Sequence, residues 1–525
     1  MNTSEVKHGG FLLAEAVRKA YARGQTDYSM EPHVRLNPEG QPFAKVQDGD
    51  AVIFCCRRGE REIELTEAFT ETDFAHFERT RLQDLEFVIL TLYHDKFKDL
   101  PVAFAPAKLD HTLGELLSKA GKTQMRCSES EKFAHVTFFL NGGNNQPYPG
   151  EVDVRVPSPK GIPFDQVPEL SLPAVADEVI RGLREGIDCI VTNFANGDVI
   201  GHTSNSEAKI ACAQAVDEHL ARVLQVAKSG GYVSLITADH GNLEVLLTAE
   251  GKPHVAHTSN LVPFIVIDPQ AKGDIQLSDG SLRDLTPTIL DILGVETHPS
   301  MTGAALVKPH YWGKDRKVLL IILDGWGEGS QDENNPIFVA TTPTWDALCR
   351  DFPLAHLQAS GEAVGLQAGK PGNSEAGHMN IGAGRVVLQD DVRLDLALKD
   401  GSFAKNEVFV ETIENVLRKG SNLHLIGLLT EKSSHGSIDY PLALLRMAKE
   451  KGLSNAFLHL IFDGRSTEPG SAPALLEKLE GEMRKIGLGT IVTAVGRGIA
   501  LDRDGNYGKI KKAYEAMVLG QGTPW

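Results

Sequence analysis

The sequence has few cysteines, and their spacing is not that of a cysteine-based metal site. Its 525 residues include six cysteines and no Cys-x-x-Cys pair. Several of the cysteines lie in apolar runs, where a free cysteine is expected to be a small core residue. This usage argues against a disulfide framework and predicts a reducing compartment.

Long hydrophobic runs are also missing. No apolar stretch approaches the ~20 residues of a membrane-spanning helix, and the first ten residues are polar. We therefore expect neither a signal peptide nor a membrane segment. The sequence predicts a cytoplasmic protein with no membrane partner.

Positive charge is scarce relative to negative charge. Lysine and arginine number 53 against 70 aspartates and glutamates, which gives a net charge of −17. Nucleic acids and anionic membranes require a basic face, so both are excluded as general partners. An anionic substrate would have to be bound by local arginines.

Low-complexity tracts are absent, and the composition is that of a globular protein. Hydrophobic residues make up 42% of the chain and charged residues 23%, which is ordinary for a folded enzyme. A chain of 525 residues exceeds what one core usually organises, so two domains are expected. The proline-punctuated stretch 101–106 is the predicted start of the second domain.

Three apolar runs, typical of buried strands, lead into aspartate or histidine. The runs are 189–191, 232–238 and 318–323, and the residues that follow are Asp198, His202, Asp239, His240 and Asp324. An aspartate after a strand is frequently only a helix N-cap. Ligands of an open parallel sheet bind beyond the carboxyl ends of its strands, however, so the combination predicts one shared site. His257, which precedes the apolar strand 262–267, is the predicted last ligand.

The glycine-rich segment 370–385 presents Ser374 between small and polar neighbours. Such a segment is more often a tight turn than an active site. A serine hydroxyl also needs a base or a metal to become a good nucleophile. The carboxylates and imidazoles described above could supply that activation, so Ser374 is the candidate nucleophile.

Cationic residues follow other strands. The strand 51–55 runs into Arg58 and Arg61, which form either a solvated charged loop or a fork-shaped grip on phosphate or carboxylate oxygens. The strands 423–429, 456–462 and 490–495 lead to His435, Arg465 and Arg497. Lys132, in contrast, is interpreted on its own as a surface residue paired with a carboxylate.

Strand and helix patterns alternate along the chain. Among them we predict a helix at 11–23, a strand at 136–140 and a long amphipathic helix at 206–230. The alternation predicts an α/β fold with parallel sheets. Metal-type ligands collect in one part of the chain and arginines in the rest, which suggests a metal-dependent phosphoryl-transfer centre and a grip for an acidic small molecule.

Four segments carry a resemblance to a known family. They are 318–327 (VLLIILDGWG), 372–385 (GNSEAGHMNIGAGR), 237–242 (TADHGN) and 256–260 (AHTSN). Together they closely resemble cofactor-independent phosphoglycerate mutase, of the alkaline phosphatase superfamily, and the resemblance extends over nearly the whole chain. It implies two domains: an alkaline-phosphatase-like α/β sandwich with a mainly parallel sheet, and a smaller α/β transferase domain.

The resemblance also implies a site with two divalent metal ions. One ion would be held by Asp198, His202 and His257, and the other by Asp324, Ser374, Asp239 and His240. Manganese suits this mixed set, with magnesium, cobalt or zinc as alternatives. The catalytic residues would be Ser374, His435 and Lys132. The residues that meet substrate oxygens would be Arg58, Arg61, Arg465, Ser466, Arg497, Arg503, His435 and Lys132.

The order of the segments departs from the family. There the LILDGWG segment opens the chain, whereas here it begins near residue 318, so the sequence is interpreted as circularly permuted. The original ends would be joined around 308–316, and the new ends would fall between 514–522 and 14–21, in surface helix and loop. The phosphatase-like domain would then run continuously over 105–389, with the transferase domain built from 1–104 and 390–525.

A second departure lies in the site itself. The family usually has Asp-Gly-Arg-Asp where this chain has Asp463, Gly464, Arg465 and Ser466. A serine can form hydrogen bonds but cannot act as a base near neutral pH. His435, or a water held by Ser466, would have to carry more of the proton transfer.

The implied function is the interconversion of 3-phosphoglycerate and 2-phosphoglycerate in glycolysis and gluconeogenesis, through a phosphoserine and without 2,3-bisphosphoglycerate. The enzyme would be an isomerase, acting as a monomer on a small phosphoglycerate. The alternative is a metal-dependent phosphatase or another phosphomutase of the same superfamily, which Ser466 makes more plausible. A catalytically silent binding protein would require loss of the metal site, yet all seven ligand positions are present.

Overall fold

A computed structural model of the chain describes residues 8–57, 59–106, 109–271, 275–308, 312–431, 433 and 435–525. The chain divides into two compact units. The continuous unit spans Lys108–Val392, and the two-part unit combines Met1–Ala107 with Arg393–Trp525. None of the helices in the described ranges is long and apolar enough to cross a membrane.

The strands of the described residues, in chain order, are β1 (His33–Val34), β2 (Ala51–Cys55), β3 (Glu86–Thr91), β4 (Val102–Phe104), β5 (Gln124–Glu129), β6 (Glu151–Val156), β7 (Cys189–Phe194), β8 (Val233–Thr237), β9 (Val262–Ile267), β10 (Gly280–Ser281), β11 (Val318–Leu323), β12 (Leu354–Gln358), β13 (Leu423–Leu429), β14 (Ala456–Phe462), β15 (Thr490–Gly496) and β16 (Thr523–Pro524). The helices are α1 (Gly10–Tyr21), α2 (Ile63–Thr70), α3 (Leu113–Lys119), α4 (Leu172–Glu185), α5 (Asn196–Gly201), α6 (Ser206–Ser229), α7 (Leu285–Leu293), α8 (Pro336–Val339), α9 (Pro343–Asp351), α10 (Ser374–Ala383), α11 (Asp390–Asp400), α12 (Glu407–Lys419), α13 (Asp439–Glu450), α14 (Ala472–Ile486), α15 (Arg497–Ala500) and α16 (Tyr507–Val518).

The continuous unit is built on one sheet with the strand order β10-β12-β9-β8-β11-β7-β5-β6. Its central strand β11 pairs in parallel with β7 and β8, and β9 runs antiparallel between β8 and β12. Every residue of β7, β8 and β11 is buried. Helices α4 and α6 pack together on the sheet, and α3, α7 and α10 form a second packed group. A sheet covered in this way requires strands that are apolar along their whole length.

The two-part unit has its own sheet, with the order β16-β1-β15-β14-β13-β2-β3-β4. Its pairs are parallel except for β1 with β15. Alternate residues of β2 enter different cores: Ile53 joins one hydrophobic cluster, and Val52 and Phe54 join another. Both faces of this sheet are therefore buried. The predicted fold class, α/β with two domains and mainly parallel sheets, is confirmed.

The prediction of a strand at 136–140 is wrong. Residues His135–Phe139 form one turn of π-helix, which packs against α10. Among the strands that were missed are β5 and β6, the first of which is buried throughout although it contains glutamine, arginine, serine and glutamate. Polar residues inside a buried strand break the apolar pattern on which the prediction depended.

Two segments that carry candidate site residues are helical. Asp198 lies on α5, and His202 follows the last residue of that helix. The glycine-rich segment around Ser374 forms α10, of which Ser374 is the first residue. In addition, the stretch 101–106 carries the edge strand β4 of the two-part unit before the chain crosses to the other unit.

The segments proposed for the new chain ends are not simple surface helix and loop. Ala14 on α1 and Tyr514 on α16 are buried in the cores of the two-part unit. Beyond α16, β16 pairs with β1, and the backbone nitrogen of Trp525 donates to the carbonyl of Val34. Both ends of the described chain are thus held by the fold of this unit.

The glycines of α10 allow the helix to approach its neighbours closely. A Cβ on Gly382 would lie 1.8 Å from the carbonyl oxygen of Leu140, and one on Gly377 would lie 2.8 Å from that of Asp239. Both distances are too short for a side-chain carbon in contact with rigid backbone. The glycines therefore set the position of α10, and with it that of Ser374.

We expect Gly382→Ala to destabilise the protein by about 1–3 kcal/mol, because the added methyl group overpacks a rigid contact. The matched control is Gly481→Ala on α14, where a Cβ meets no atom within 4 Å and where alanine should stabilise the helix by about 0.5–1 kcal/mol. Thermal and urea unfolding of both variants measure the difference. Equal stabilities would contradict the close approach of α10 to Leu140.

Candidate active site

The carboxyl ends of three neighbouring strands meet at one edge of the continuous unit's sheet. The chain supplies Asp198 after β7, Asp239 after β8 and Asp324 after β11. Asp239 and Asp324 are at most 1% exposed, and Asp198 is 6% exposed. Buried carboxylates must be balanced by cations or hydrogen-bond donors. This edge therefore requires positive charge.

Helix α5 and the loop before β9 bring three predicted ligands together. His202 Nε2 lies 3.2 Å from Asp198 Oδ1, and His257 Nε2 lies 3.0 Å from the same oxygen. Each imidazole is oriented by its Nδ1, which lies 2.9 Å from the carbonyl of Val255 for His202 and 2.8 Å from the carbonyl of Gly372 for His257. An Nδ1–H donated to a carbonyl leaves Nε2 as the ligand atom.

Ser374 lies beside the second group of predicted ligands. Its Oγ is 2.9 Å from His240 Nε2 and 3.3 Å from Asp324 Oδ1. As the first residue of α10, Ser374 also lies at a helix N-terminus, capped by the side chain of Asn373. Helix N-termini favour anions such as phosphate. The serine is therefore placed where a phosphoryl group would be stabilised.

The interpretation of Lys132 as a surface residue is wrong. Lys132 is only 5% exposed, because the chain turns inward after β5. Its Nζ donates to Asp198 Oδ2 at 2.6 Å, Asp324 Oδ1 at 2.8 Å and Ser374 Oγ at 2.6 Å. Burial alone would lower the pKa of this amine, but the surrounding carboxylates, with Asp324 first, raise it above its ordinary value. Lys132 is therefore charged and serves as the internal counter-ion of the cluster.

The cluster fits divalent metal ions. Ligand atoms of Asp198, His240 and His257 lie within 4.8 Å of one another, and so do those of Asp239, His240 and Asp324. Three carboxylates face one lysine, and burial together with Asp239 raises the pKa of Asp324 even in the presence of that lysine. Asp239 Oδ2 is buried and accepts no hydrogen bond from the part of the chain that the structure describes. The donors are the oxygens and imidazoles that manganese and similar ions prefer.

Two residues behind the carboxylates were missed by the sequence analysis. Asn193, inside β7, donates from Nδ2 to Asp324 Oδ2 at 2.6 Å. His378, on α10, has its Nδ1 3.3 Å from Asp239 Oδ2. The sequence feature that could have pointed to Asn193 is its amide side chain within an otherwise apolar strand. His378 lies in the segment that carried the family resemblance, but the family pattern gave it no role.

The predicted substrate-binding residues lie after the strands of the two-part unit. Arg497 begins α15 after β15, is 2% exposed, and donates to Asp463 Oδ1 at 2.5 Å. Ser466 donates its backbone N–H to the same oxygen at 3.3 Å. Asp463 Oδ1 therefore links the segment after β14, through Ser466, to the segment after β15, through Arg497. Arg465 and Ser466 themselves are exposed to solvent.

The other cations of this unit are held differently. Arg61 is buried and donates to the carbonyl of Leu501 at 3.0 Å. Arg503 forms an ion pair with Glu60 at the surface, and both side chains are exposed to solvent. His435 is 9% exposed, with Nδ1 3.4 Å from Glu62 Oε1. Arg58 lies outside the described residues.

Arg57 is a further cation that the sequence analysis did not select. It is 5% exposed and donates from Nη2 to the carbonyl of Ser433 at 2.6 Å and from Nη1 to the hydroxyl of Tyr440. Its backbone nitrogen donates to the carbonyl of His435 at 3.0 Å. Arg57 thus holds the loop that carries His435.

Comparison with known proteins decides the family of the chain. Residues 1–297, more than half of the chain, match the model of the metalloenzyme superfamily. The chain belongs to the metalloenzyme superfamily. The matched range includes the ligand candidates Asp198, His202, Asp239, His240 and His257, whereas Asp324 and Ser374 lie beyond it. A second model, described as the N-terminus of BPG-independent PGAM, matches residues 394–524.

Two curated relatives of this metalloenzyme have the same name. The chain is 46% identical over 302 residues to the 2,3-bisphosphoglycerate-independent phosphoglycerate mutase of Moorella thermoacetica, covering 57% of this chain and 58% of the relative. It is 44% identical over 299 residues to the protein of the same name from Syntrophotalea carbinolica, covering 56% and 57%. The metalloenzyme thus spans little more than half the length of the curated relatives it matches.

A solved structure also resembles part of this metalloenzyme. It is titled "Crystal structures of Leishmania mexicana phosphoglycerate mutase at low cobalt concentration" and is 28% identical, covering 52% of this chain and 53% of that chain, with a TM-score of 0.39. A TM-score this low supports no conclusion about a shared fold.

Proposed function

We propose that the protein is a 2,3-bisphosphoglycerate-independent phosphoglycerate mutase that interconverts 3-phosphoglycerate and 2-phosphoglycerate through a phosphoserine at Ser374. The observation that carries this proposal is the position of Ser374 Oγ, 2.6 Å from Lys132 Nζ and 2.9 Å from His240 Nε2, within a buried cluster of metal-type ligands. The names of the relatives, over the part of their length that matches, support the substrate.

Two divalent ions, with manganese as our first choice, are proposed to bind at this cluster. Asp198, His202 and His257 would hold one ion, and Asp324, Ser374, Asp239 and His240 the other. The bound ions would lower the pKa of the serine hydroxyl and neutralise charge on the phosphoryl group. His240 belongs by position to both groups of ligand atoms, which supports a pair of ions that lie close together.

The residues of the chain have distinct roles in the proposed reaction. Ser374 Oγ forms a bond to phosphorus while the bond from phosphorus to the glycerate oxygen breaks, and the serine proton is already directed to Asp324 Oδ1. Lys132 donates to Oγ and remains protonated, so it stabilises negative charge on the nucleophile and on the phosphoryl oxygens. We assign His435 as the group that donates a proton to the leaving oxygen of the glycerate and then removes the proton from the other glycerate hydroxyl, to which the phosphoserine returns its phosphoryl group.

The two units are proposed to divide the work. The continuous unit would be the phosphatase-like, metal-binding domain, and the two-part unit the transferase domain that binds the glycerate through Arg58, Arg61, Arg465, Ser466, Arg497, Arg503 and His435. Anions are recognised well by arginine because its guanidinium can donate two parallel hydrogen bonds to one carboxylate or phosphate. We further propose that the enzyme acts as a monomer in the cytoplasm.

We propose that the chain is a circular permutation of the family order. The model described as an N-terminus matches the last part of this chain, residues 394–524. Asp324 and Ser374 lie between the two matched ranges. A rotated order also explains why collinear matches to the relatives stop at 56–57% of this chain. The join of the original ends would lie around residues 308–316.

A phosphatase or another phosphomutase is the second candidate, because Ser466 replaces the family's aspartate and is exposed. In a phosphatase, water rather than the retained glycerate would attack the phosphoserine. We expect 3-phosphoglycerate with manganese to yield 2-phosphoglycerate, with inorganic phosphate below about a tenth of the product, since a mutase must exclude water from this step.

An assay that follows 2-phosphoglycerate and inorganic phosphate together, without added 2,3-bisphosphoglycerate, measures this partition. Predominant phosphate release would overturn the mutase proposal in favour of the phosphatase. Ser466→Asp restores the family residue and serves as the matched comparison. If Ser466 limits retention of the glycerate, the aspartate variant should release a smaller share of phosphate than the natural chain.

A further inference from the structure

Asn193 and His378 form a continuous polar connection behind the site. Both side chains are fully buried. Asn193 Nδ2 lies 2.6 Å from Asp324 Oδ2 and 3.1 Å from His378 Nε2. His378 Nδ1 lies 2.9 Å from the carbonyl oxygen of Ser374 and 3.3 Å from Asp239 Oδ2. The connection therefore runs from Asp324 to Asp239 and to the backbone of Ser374.

The directions of these hydrogen bonds can be assigned from chemistry alone. An amide oxygen 2.6 Å from a carboxylate oxygen would be repelled, so the amide nitrogen of Asn193 faces Asp324. The second hydrogen of the same nitrogen then points to His378 Nε2, which must accept it. The proton of His378 is consequently on Nδ1, which donates to the carbonyl oxygen of Ser374 and lies 3.3 Å from Asp239 Oδ2.

Asn193 is used only as a donor. Its Oδ1 is buried and has no hydrogen-bond partner within the residues that the structure describes. Leaving a buried acceptor unpaired opposes folding, so packing alone does not explain an amide at this point of an apolar strand. Its two donor hydrogens explain it, since each is directed at a group that must be held in place.

We propose that Asn193 and His378 are positioning residues that hold Asp324 and Asp239 for the metal ion beside Ser374. By occupying Oδ2 of Asp324, Asn193 leaves Oδ1 directed towards Ser374 Oγ and Lys132. His378 orients Asp239 and fixes the first turn of the helix that begins with Ser374. Partners of this kind set the orientation of ligating groups and so the affinity of a metal site.

The inference deepens the proposed metal site and so rests on the proposed function. Manganese titration, followed by the electron paramagnetic resonance signal of free Mn²⁺, tests it without an activity assay. We expect the natural chain to bind two ions. Asn193→Leu should bind the ion at Asp324 and Asp239 about ten- to hundredfold more weakly. The ion at Asp198, His202 and His257 should retain its affinity, since in the described chain the Asn193 side chain hydrogen-bonds Asp324 and His378 instead.

The matched control is Asn380→Leu on α10. Asn380 is equally buried, but it hydrogen-bonds the backbone carbonyls of Val364 and Ala376 rather than a carboxylate. This variant should lose thermal stability and keep both manganese affinities. A purely structural role for Asn193 predicts the same outcome for the two leucine variants, so equal manganese affinities in them would overturn the proposal.

Two His378 variants keep the test decisive if Asn193→Leu does not fold. His378→Phe preserves a flat ring but removes both nitrogens, and should weaken the same ion. His378→Gln offers one acceptor and one donor, and should restore part of the affinity. Unchanged binding in His378→Phe would overturn the inference, whereas a natural chain that binds no manganese would overturn the proposed metal site itself.

Discussion

Replacement of Ser374 by alanine is expected to lower the turnover of the proposed mutase reaction by about 10⁴-fold or more, because the reaction would lose the proposed covalent carrier of the phosphoryl group. The alanine variant keeps the contacts that bind the substrate in its ground state. Its KM is therefore expected to stay within about tenfold of the KM of the unchanged chain. Steady-state kinetics of the conversion of 3-phosphoglycerate measure both quantities. Digestion and mass spectrometry of the rapidly quenched natural enzyme should find phosphate on Ser374.

The control for this variant removes a hydroxyl elsewhere in the same unit. Ser360 Oγ donates to the carbonyl of Ser259 and contacts none of the proposed ligands in the described chain. Ser360→Ala should therefore retain nearly full turnover. Substantial mutase activity in the Ser374→Ala protein, with its fold verified by thermal unfolding, would rule out the phosphoserine mechanism.

Removal of metal by a strong chelator is expected to lower activity by roughly 10³-fold, since stabilisation of charge by bound ions contributes several kcal/mol to such reactions. Added manganese should restore it. Activity that survives complete removal of metal, verified by elemental analysis, would contradict the two-ion site. A chelated protein that remains folded is expected, because Lys132 partly neutralises the carboxylates of the cluster.

The pH dependence of this metal effect has a definite sign. In the metal-free protein the hydrogen bond to Asp198 raises the pKa of His202, and for His257 the same carboxylate outweighs the lowering caused by burial. These groups stabilise the metal-free fold below their ordinary pKa of 6.5, and that contribution is lost as pH rises through the raised values. A metal ion binds only the neutral imidazoles, so the affinity of the protein for metal increases as the pH rises through the same values.

The melting temperatures of the manganese-loaded and metal-free proteins should consequently diverge as the pH rises above the ordinary imidazole pKa of 6.5. Differential scanning calorimetry at several pH values measures the divergence. His202→Gln should make it smaller. His356→Gln is the control, because His356 pairs with Glu328 in the same unit but away from the ligands. A difference that is constant with pH in the natural chain would contradict histidine ligation.

Apolar runs predicted much of the fold correctly. Strands β9, β11, β13 and β14 have the predicted bounds, because a strand that is buried on both faces of a sheet has a continuous run of apolar residues. Strands β5 and β6 could not be found in this way. Arg126 in β5 is fully buried and hydrogen-bonds Gln124 of the same strand, and such compensation between polar residues is visible only when the fold is known.

The ligand candidates could be predicted because they follow recognisable strands. In the structure the Nε2 atoms of His202 and His257 lie 3.2 Å and 3.0 Å from Asp198 Oδ1. The location of Lys132 could not be predicted from its own sequence surroundings, and only the family resemblance assigned it to the site. A lysine is rarely buried without a partner, and its partners Asp198 and Asp324 are 66 and 192 residues away along the chain. Contacts over such separations depend on the sheet order, which a single sequence does not specify.

The interleaved sheet of the two-part unit has a consequence for synthesis. Strands β2, β3 and β4 are made early, but their sheet neighbours β13, β14 and β15 follow only after roughly 320 further residues. At about 5–20 residues per second, the ribosome needs on the order of 16 to 64 s for that distance. During this interval the apolar strand β2 has no partner on its β13 edge, whereas the continuous unit can complete its own sheet as it emerges. The early segment is thus exposed to chaperones and to aggregation until nearly the whole chain has been translated.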